Sequence, residues 1–483
     1  MTVPEDLVTA ALLGTARTTP DLRALHTSAA ADGLLGDAAT RLLSAAALES
    51  AFLTSATVPV VRERPVPAPE DDRPVLPDAA AERLRALLTV RSPLLDEWFD
   101  AAAGFRADHR IVVDLLDAAA ADPVHRDRLV RLTGARGRWL AARNRAWTDL
   151  LPPDPDDETP WRDGPPAGRR RWFEAVRAQR PEHAADLLAV AWSSHTAAQR
   201  AELLELLTDG LGPHDEALLE RALDDRSRKV RAVALDLLSR LPGSAFAHRM
   251  AERVEAWIRL DGFAPVVAVP EALDASALRD GLGEPAPRGT DPRTFRAVTL
   301  ISAAPLQVWD RYRDGTSLPR FDPDDPLCAA LLDGWSTATV RQRNSEWATA
   351  LLHRCGSVGQ DLAQVLPREV VLDRLRAARR TSLLDRVRGV QRPEVLDEAL
   401  LAALPAPWPR DVAEKVLTAL YSDPESTRLV HEVLALLAHR APFELADLLA
   451  DAANRTDDLG RVHLFASAAD TLILRRTIHE ELS

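Results

Sequence analysis

The segment from Gly134 to Trp147, GARGRWLAARNRAW, gathers the residue types best able to grip a charged partner. Arg136, Arg138, Arg143 and Arg145 stand among Trp139, Asn144 and Trp147, and glycines flank Arg136. From Arg126 to Arg145 seven arginines face a single acid, Asp127. A guanidinium offers a fixed fork of donors to a carboxylate or phosphate, and an indole stacks on a cation or a base. Three roles fit the pattern. The segment could hold a phosphate backbone and stack a base, or bind an acidic protein surface. Alternatively, Trp139 and Leu140 could be core while the arginines cover a neighbouring acidic helix. Arg136, Arg138, Trp139, Arg143, Asn144 and Trp147 are the candidate interaction residues. Two further basic runs, Arg169–Arg171 beside Trp172 and the eight arginines between Arg368 and Arg392, read as solvated helix faces.

Catalytic patterns do not emerge. The twelve histidines include no HExxH, and His431 and His439, eight residues apart, lie more than two helical turns from each other. FDPDDP at 321–326 lacks the glycine and terminal glutamate of a calcium loop and reads as a proline-stiffened turn. Phosphate-binding, dinucleotide-binding and nucleophile-elbow motifs are missing. The expectation is a protein that is not an enzyme, with no catalytic residue, cofactor or metal ligand.

The elements that must carry the arginines are helical. Hydrophobic residues make up 46% of the 483 but aromatic ones only 5%, so the core is built from Leu, Ala and Val. Such a core suits close helix-on-helix packing better than β-sheets, which favour β-branched and aromatic side chains. Apolar residues recur at helical spacing in segments of ten to eighteen residues joined by short turns, the last of them a closing helix into LILRRTIHEEL.

Two proline-rich stretches interrupt this pattern. Six prolines lie between Thr54 and Pro77, and six more in LPPDPDDETPWRDGPPAG at 151–168. Proline removes a backbone donor and disfavours helix, so both read as linkers. The expected organisation is an N-terminal helical domain at 1–150 containing the linker 54–77, a second linker at 151–168 and helical repeats at 169–260. A Gly- and Pro-rich irregular insertion at 261–290 and further helical repeats at 291–483 complete it.

The most specific local signal is DEALLERALDDRSRKVRAVALDLLSRL. Leu218, Leu219 and Leu223 share one face of a first helix, and Val230, Val233, Ala234, Leu237 and Leu238 one face of a second. Asp224 and Asp225 can cap the turn between them, and Arg231 can reach back to an aspartate of that turn. Asp225, Val230 and Arg231 are therefore expected to stabilise a repeat resembling HEAT at 214–240. One such pair cannot bury its apolar face alone, so neighbours must stack on it. The predicted fold class is all-α, a HEAT-like α-solenoid of antiparallel helix pairs with Pro-rich linkers.

Charge and cysteine content narrow the function. The net charge is -13, which argues against nucleic acid as the general partner, although a local patch could still bind it. Only Lys229 and Lys415 are lysines among the 60 basic residues, a bias that GC-rich coding produces. Cys328 and Cys355 lack metal-finger spacing and read as reduced thiols of a cytoplasmic protein. No apolar run approaches membrane-spanning length.

LVTAALLGTAR near the start, the first proline stretch, GARGRWLAARNRAW and DEALLERALDDRSRKVRAVALDLLSRLPGSAFAHRM occur in an order that resembles an uncharacterised, mainly actinobacterial family of unknown function. ISAAPLQVW extends the likeness more weakly. That resemblance implies a neighbourhood of SWIM-type zinc-finger, MoxR-like AAA ATPase and von Willebrand A-domain proteins. It therefore implies a protein–protein interaction scaffold or adaptor with an AAA ATPase or von Willebrand A-domain partner, and it supplies no catalytic residue. The alternative is a nucleic-acid-binding HEAT-like protein, such as a DNA-repair glycosylase, working through a basic concave face.

Overall fold

Helix starts follow the side chains that can accept from free backbone N–H groups. Thr196 and Gln199 form a reciprocal capping box, and Ser244, Asp274, Asp291 and Asn344 each cap the helix that follows them. In the computed structural model these helices dominate, and the only strands among the described residues form one antiparallel hairpin, Ile258–Asp261 with Ala264–Val267. The protein is mainly α-helical. The structure describes residues 4–55, 65–261, 264–315, 317–319, 326–378, 397–422, 427–456 and 458–483. FDPDDP, apart from Pro326, and most of the third basic run fall outside the described residues.

The chain divides into two compact units, Met1–Ala68 and Pro69–Ser483. The first holds a small core of Leu7, Ala10, Leu25, Ala31, Leu42 and Ala45. Its buried Glu49 accepts from the backbone N–H groups of His26 and Thr27, the Thr27 hydroxyl and the His26 ring. Burial pushes that carboxyl up, but these hydrogen bonds outweigh it and hold the pKa at about 2.

Within the second unit, one core runs from Trp161 to Leu472 and another from Leu76 to Leu150. Ile478 and Leu482, from the end of the closing helix Leu459–Glu481, belong to the latter core. Arg83 binds Glu481 at 2.8 Å, and Arg475 binds Glu97 at 2.7 Å. The first helices of this unit thus lie against the last.

The stretches expected to be linkers carry structure of their own. Residues 151–168 include the helix Thr159–Asp163, and Trp161 is buried against Trp172, Phe173 and His195. No division of the unit falls there, because aromatic packing and arginine donors bind the stretch down. Arg169 donates to the Trp161 carbonyl, Arg171 to the carbonyls of Asp149 and Leu151, and Trp172 Nε1 to that of Asp154. The basic run at 169–171 is therefore largely spent on its own chain rather than on a solvated face; Arg170 pairs with Glu174 and Glu202. Residues 74–76 of the first proline stretch bond to Arg106 through backbone groups at 2.7 and 2.9 Å. In the region 261–290, the helix Ala275–Arg279 leads into Asp280, whose buried carboxylate takes Arg249 and Arg253.

The pair expected at 214–240 consists of the helices Glu216–Ala222 and Arg228–Leu238, with Val230 fully buried. Asp225 caps its turn by accepting from Ser227 N–H at 2.8 Å and pairs with Arg200 at 2.9 Å. Arg231 does not reach an aspartate side chain. It donates to the carbonyls of Asp225 and Arg226, because Arg200 already occupies the Asp225 carboxylate. The start of the Glu216–Ala222 helix is pinned by a buried bidentate pair, Asp215 with Arg177 of the helix Pro166–Gln179 at 2.7 and 2.8 Å. Arg177 also donates to the carbonyls of Asp209, Pro181 and Leu207, so its desolvated charge is widely satisfied.

A recurring device ties helices of the C-terminal half to earlier helix ends. Arg341 donates to the Ser302 carbonyl, Lys415 to Arg376, Arg440 to Ala402 and Leu404, Arg461 to Leu420, and Arg475 to Ala438 and Ala441. These carbonyls lie at helix C-termini, where the last C=O groups lack intrahelical donors and the helix dipole favours a cation. The separations are all between 34 and 41 residues. Each cation thus locks the end of a helix one to three helices earlier in the chain.

Candidate functional site

The arginine–tryptophan segment lies on the helix Arg126–Ala141 and the turn after it. The helix is broken at Gly134, with φ 69° and ψ -159°, a conformation that side chains other than glycine rarely adopt. The break is held from the first proline stretch. Asp71 Oδ2 accepts from Ala135 N–H at 3.1 Å, serving as a cap for the second half of the helix. Arg73 pairs with Asp71 and donates to the carbonyls of Arg131 and Phe105. The Arg73 guanidinium holds the Asp71 carboxyl well below the usual carboxylate range. A Cβ on residue 134 would stand 2.4 Å from Asp71 Oδ2, and one on Gly137 would stand 1.8 Å from Thr133 Oγ1. Both glycines therefore have a steric reason.

Beyond the break, Arg136 and Trp139 stand three residues apart on one helix face, and Arg143 follows in the turn after the helix. Arg136, Arg138, Arg143 and Arg145 are exposed, while Trp139 is half-buried. Arg143 stacks over the Trp139 ring at 4.2 Å and donates to its carbonyl at 3.0 Å. Among the described residues, the guanidinia of Arg131, Arg136, Arg138 and Arg145 make no hydrogen bond or ion pair. The two other candidates serve the local fold: Trp147 Nε1 donates to Asp117 at 2.8 Å, and Asn144 accepts from Ala146 N–H.

A second site joins residues that the sequence did not bring together. A groove of about 1200 Å3 opens where the helices Leu95–Ala101, Glu398–Ala403, Thr427–Arg440 and Leu459–Glu481 meet. Glu97 accepts from Arg475 at 2.7 Å and lies 3.0 Å from His479 Nε2. Arg475 also stacks over Phe443 at 5.2 Å. Burial, then the nearby Arg475 charge, lower the pKa of His439. No local signal marks these residues, since Glu97 and Arg475 are 378 positions apart. Among the described residues, no group of three or more His, Cys, Asp and Glu could hold a metal ion. No described helix is long and apolar enough to cross a membrane.

These features define a helical protein with a basic surface, on which several arginines have no partner among the described residues, and a separate groove. Residues 6–482 match the family model described as "Family of unknown function (DUF5691)", and the chain belongs to that family. No curated protein and no solved structure matches it.

Proposed function

We propose that the protein is a non-catalytic adaptor, a HEAT-like solenoid of stacked helix pairs that docks an acidic surface of a protein partner. Arg131, Arg136 and Arg138 of the broken Arg126–Ala141 helix, without partners among the described residues, carry this reading. Elsewhere arginines commonly bind carboxylates or helix-end carbonyls, as Arg170, Arg249, Arg279 and Arg440 do. On this helix Arg136 and Arg138 stay in water beside a half-buried tryptophan. Arginine and tryptophan are enriched among residues that dominate interface energies, and a preorganised surface loses less entropy on binding. The repeated clasp from a later helix onto an earlier helix end also supports stacked helices. The partner class is an AAA ATPase or a von Willebrand A-domain protein acting in the cytoplasm.

The test is a native pull-down with mass spectrometry on the wild type and on Arg136→Ala/Arg138→Ala/Arg143→Ala. Arg170→Ala, which removes an already paired arginine, is the control. A stoichiometric protein partner should be retained by wild type and control, and weakened by at least about tenfold in the triple variant. Nucleic acid recovered instead, and released by salt, would overturn the adaptor reading in favour of a nucleic-acid-binding protein. Equal partner recovery by all three proteins would remove the surface from the mechanism.

A further inference from the structure

The groove between the first and last helices of the Pro69–Ser483 unit differs in charge from the arginine surface. Its lining includes carboxylates open to water. Asp96 and Asp100 have side chains 68% and 70% exposed. Glu444 is exposed and makes no hydrogen bond or ion pair among the described residues. The arginines at the groove are turned inward. Arg475 is 4% exposed at its side chain and is held by Glu97 and the carbonyls of Ala438 and Ala441. Arg440 is half-buried on the carbonyls of Ala402 and Leu404. Arg128, which pairs with Asp96 and Asp100, is not among the lining residues. The remaining ionisable neighbours are His479, bonded to Glu97, and the half-buried His439.

Between these groups the wall is apolar. Phe443 and Pro442 are half-buried, and Pro405 and Pro407 are exposed. The volume of about 1200 Å3 exceeds the roughly 300–1000 Å3 of pockets that enclose one small molecule. We infer that the groove binds a short basic segment of a partner protein. Its arginine or lysine side chains sit against Asp96, Asp100 and Glu444, and its apolar side chains rest on Phe443 and the prolines. Charge complementarity selects this occupant: an acidic segment would meet three solvent-facing carboxylates, while Arg475 is buried, Arg440 is half-buried on helix-end carbonyls and Arg128 is already paired with Asp96 and Asp100. The inference is independent of the arginine-surface reading, which concerns another helix and an acidic partner.

The experiment is fluorescence anisotropy with two labelled peptides of equal length, one repeating Arg-Leu-Pro and the other Glu-Leu-Pro. The full chain should bind the arginine peptide, release it as salt rises and leave the glutamate peptide free. Asp96→Asn/Asp100→Asn/Glu444→Gln should weaken binding by about tenfold, whereas Arg136→Ala/Arg138→Ala should bind as wild type does. Glu444→Gln alone, at an exposed and unpaired position, reads the effect if the triple variant unfolds. No binding of the arginine peptide, equal binding of both peptides, or unchanged affinity in both groove variants would overturn the inference. Peptide binding lost only in the Arg136→Ala/Arg138→Ala protein would also overturn it, by placing the contact on the arginine helix.

Discussion

His195 shows how single residues use burial. It is 6% exposed, its ring meets Trp161 edge-on at 5.3 Å, and neither ring nitrogen has a hydrogen-bond partner among the described residues. Burial first, then the charges of Arg169 and Arg200, lower its pKa below the unfolded value of 6.5. The unfolded chain therefore binds a proton that the folded chain resists. The resulting stability is constant above 6.5 and falls as pH drops through 6.5 toward the folded-state value. We predict that the urea midpoint falls between about pH 7.5 and pH 5.5, and that His195→Phe falls less. His439, shifted in the same direction, leaves a remaining slope. An equal slope in wild type and variant would rule out His195 as a contributor. The arginines teach a related lesson. Their abundance was legible as composition, but whether each one serves a carbonyl, a carboxylate or water depended on its folded neighbours.

At the scale of the element, the broken Arg126–Ala141 helix couples the proline stretch to the arginine surface. Gly134→Ala must adopt φ 69° and bring Cβ to 2.4 Å from Asp71 Oδ2. We predict a loss of about 1–3 kcal/mol by urea unfolding, with weaker partner recovery because the helix carrying Arg136 is displaced. Wild-type stability would show that the break is not needed. The helix, its glycines and its arginines were readable because helical periodicity and glycine are local signals. Asp71, which caps the second half from 64 residues away, was not. Its segment looked like a linker because proline content reports the absence of helix, not the absence of contacts.

At the scale of the molecule, the Leu459–Glu481 helix covers both ends of the Pro69–Ser483 unit. Its Phe465 and Leu472 belong to the larger core, while Ile478 lies in the core formed by residues 76–150. Ending the chain at residue 458 removes these contacts and Arg475. We predict that this truncation makes residues 69–150 sensitive to limited proteolysis and abolishes a single cooperative unfolding transition. Burial of Ile478 alone is worth about 1.5–3 kcal/mol. Unchanged protection of 69–150 would show that the closing helix is dispensable. Helical class, caps and the turn at Asp225 follow from residues within a few positions of one another, where spacing and hydrogen-bonding capacity are both visible in the chain. Only the folded chain could bring Glu97 to Arg475 and open the groove beside them. Such a contact is selected by the packing of whole helices, and no local pattern encodes proximity across 378 residues.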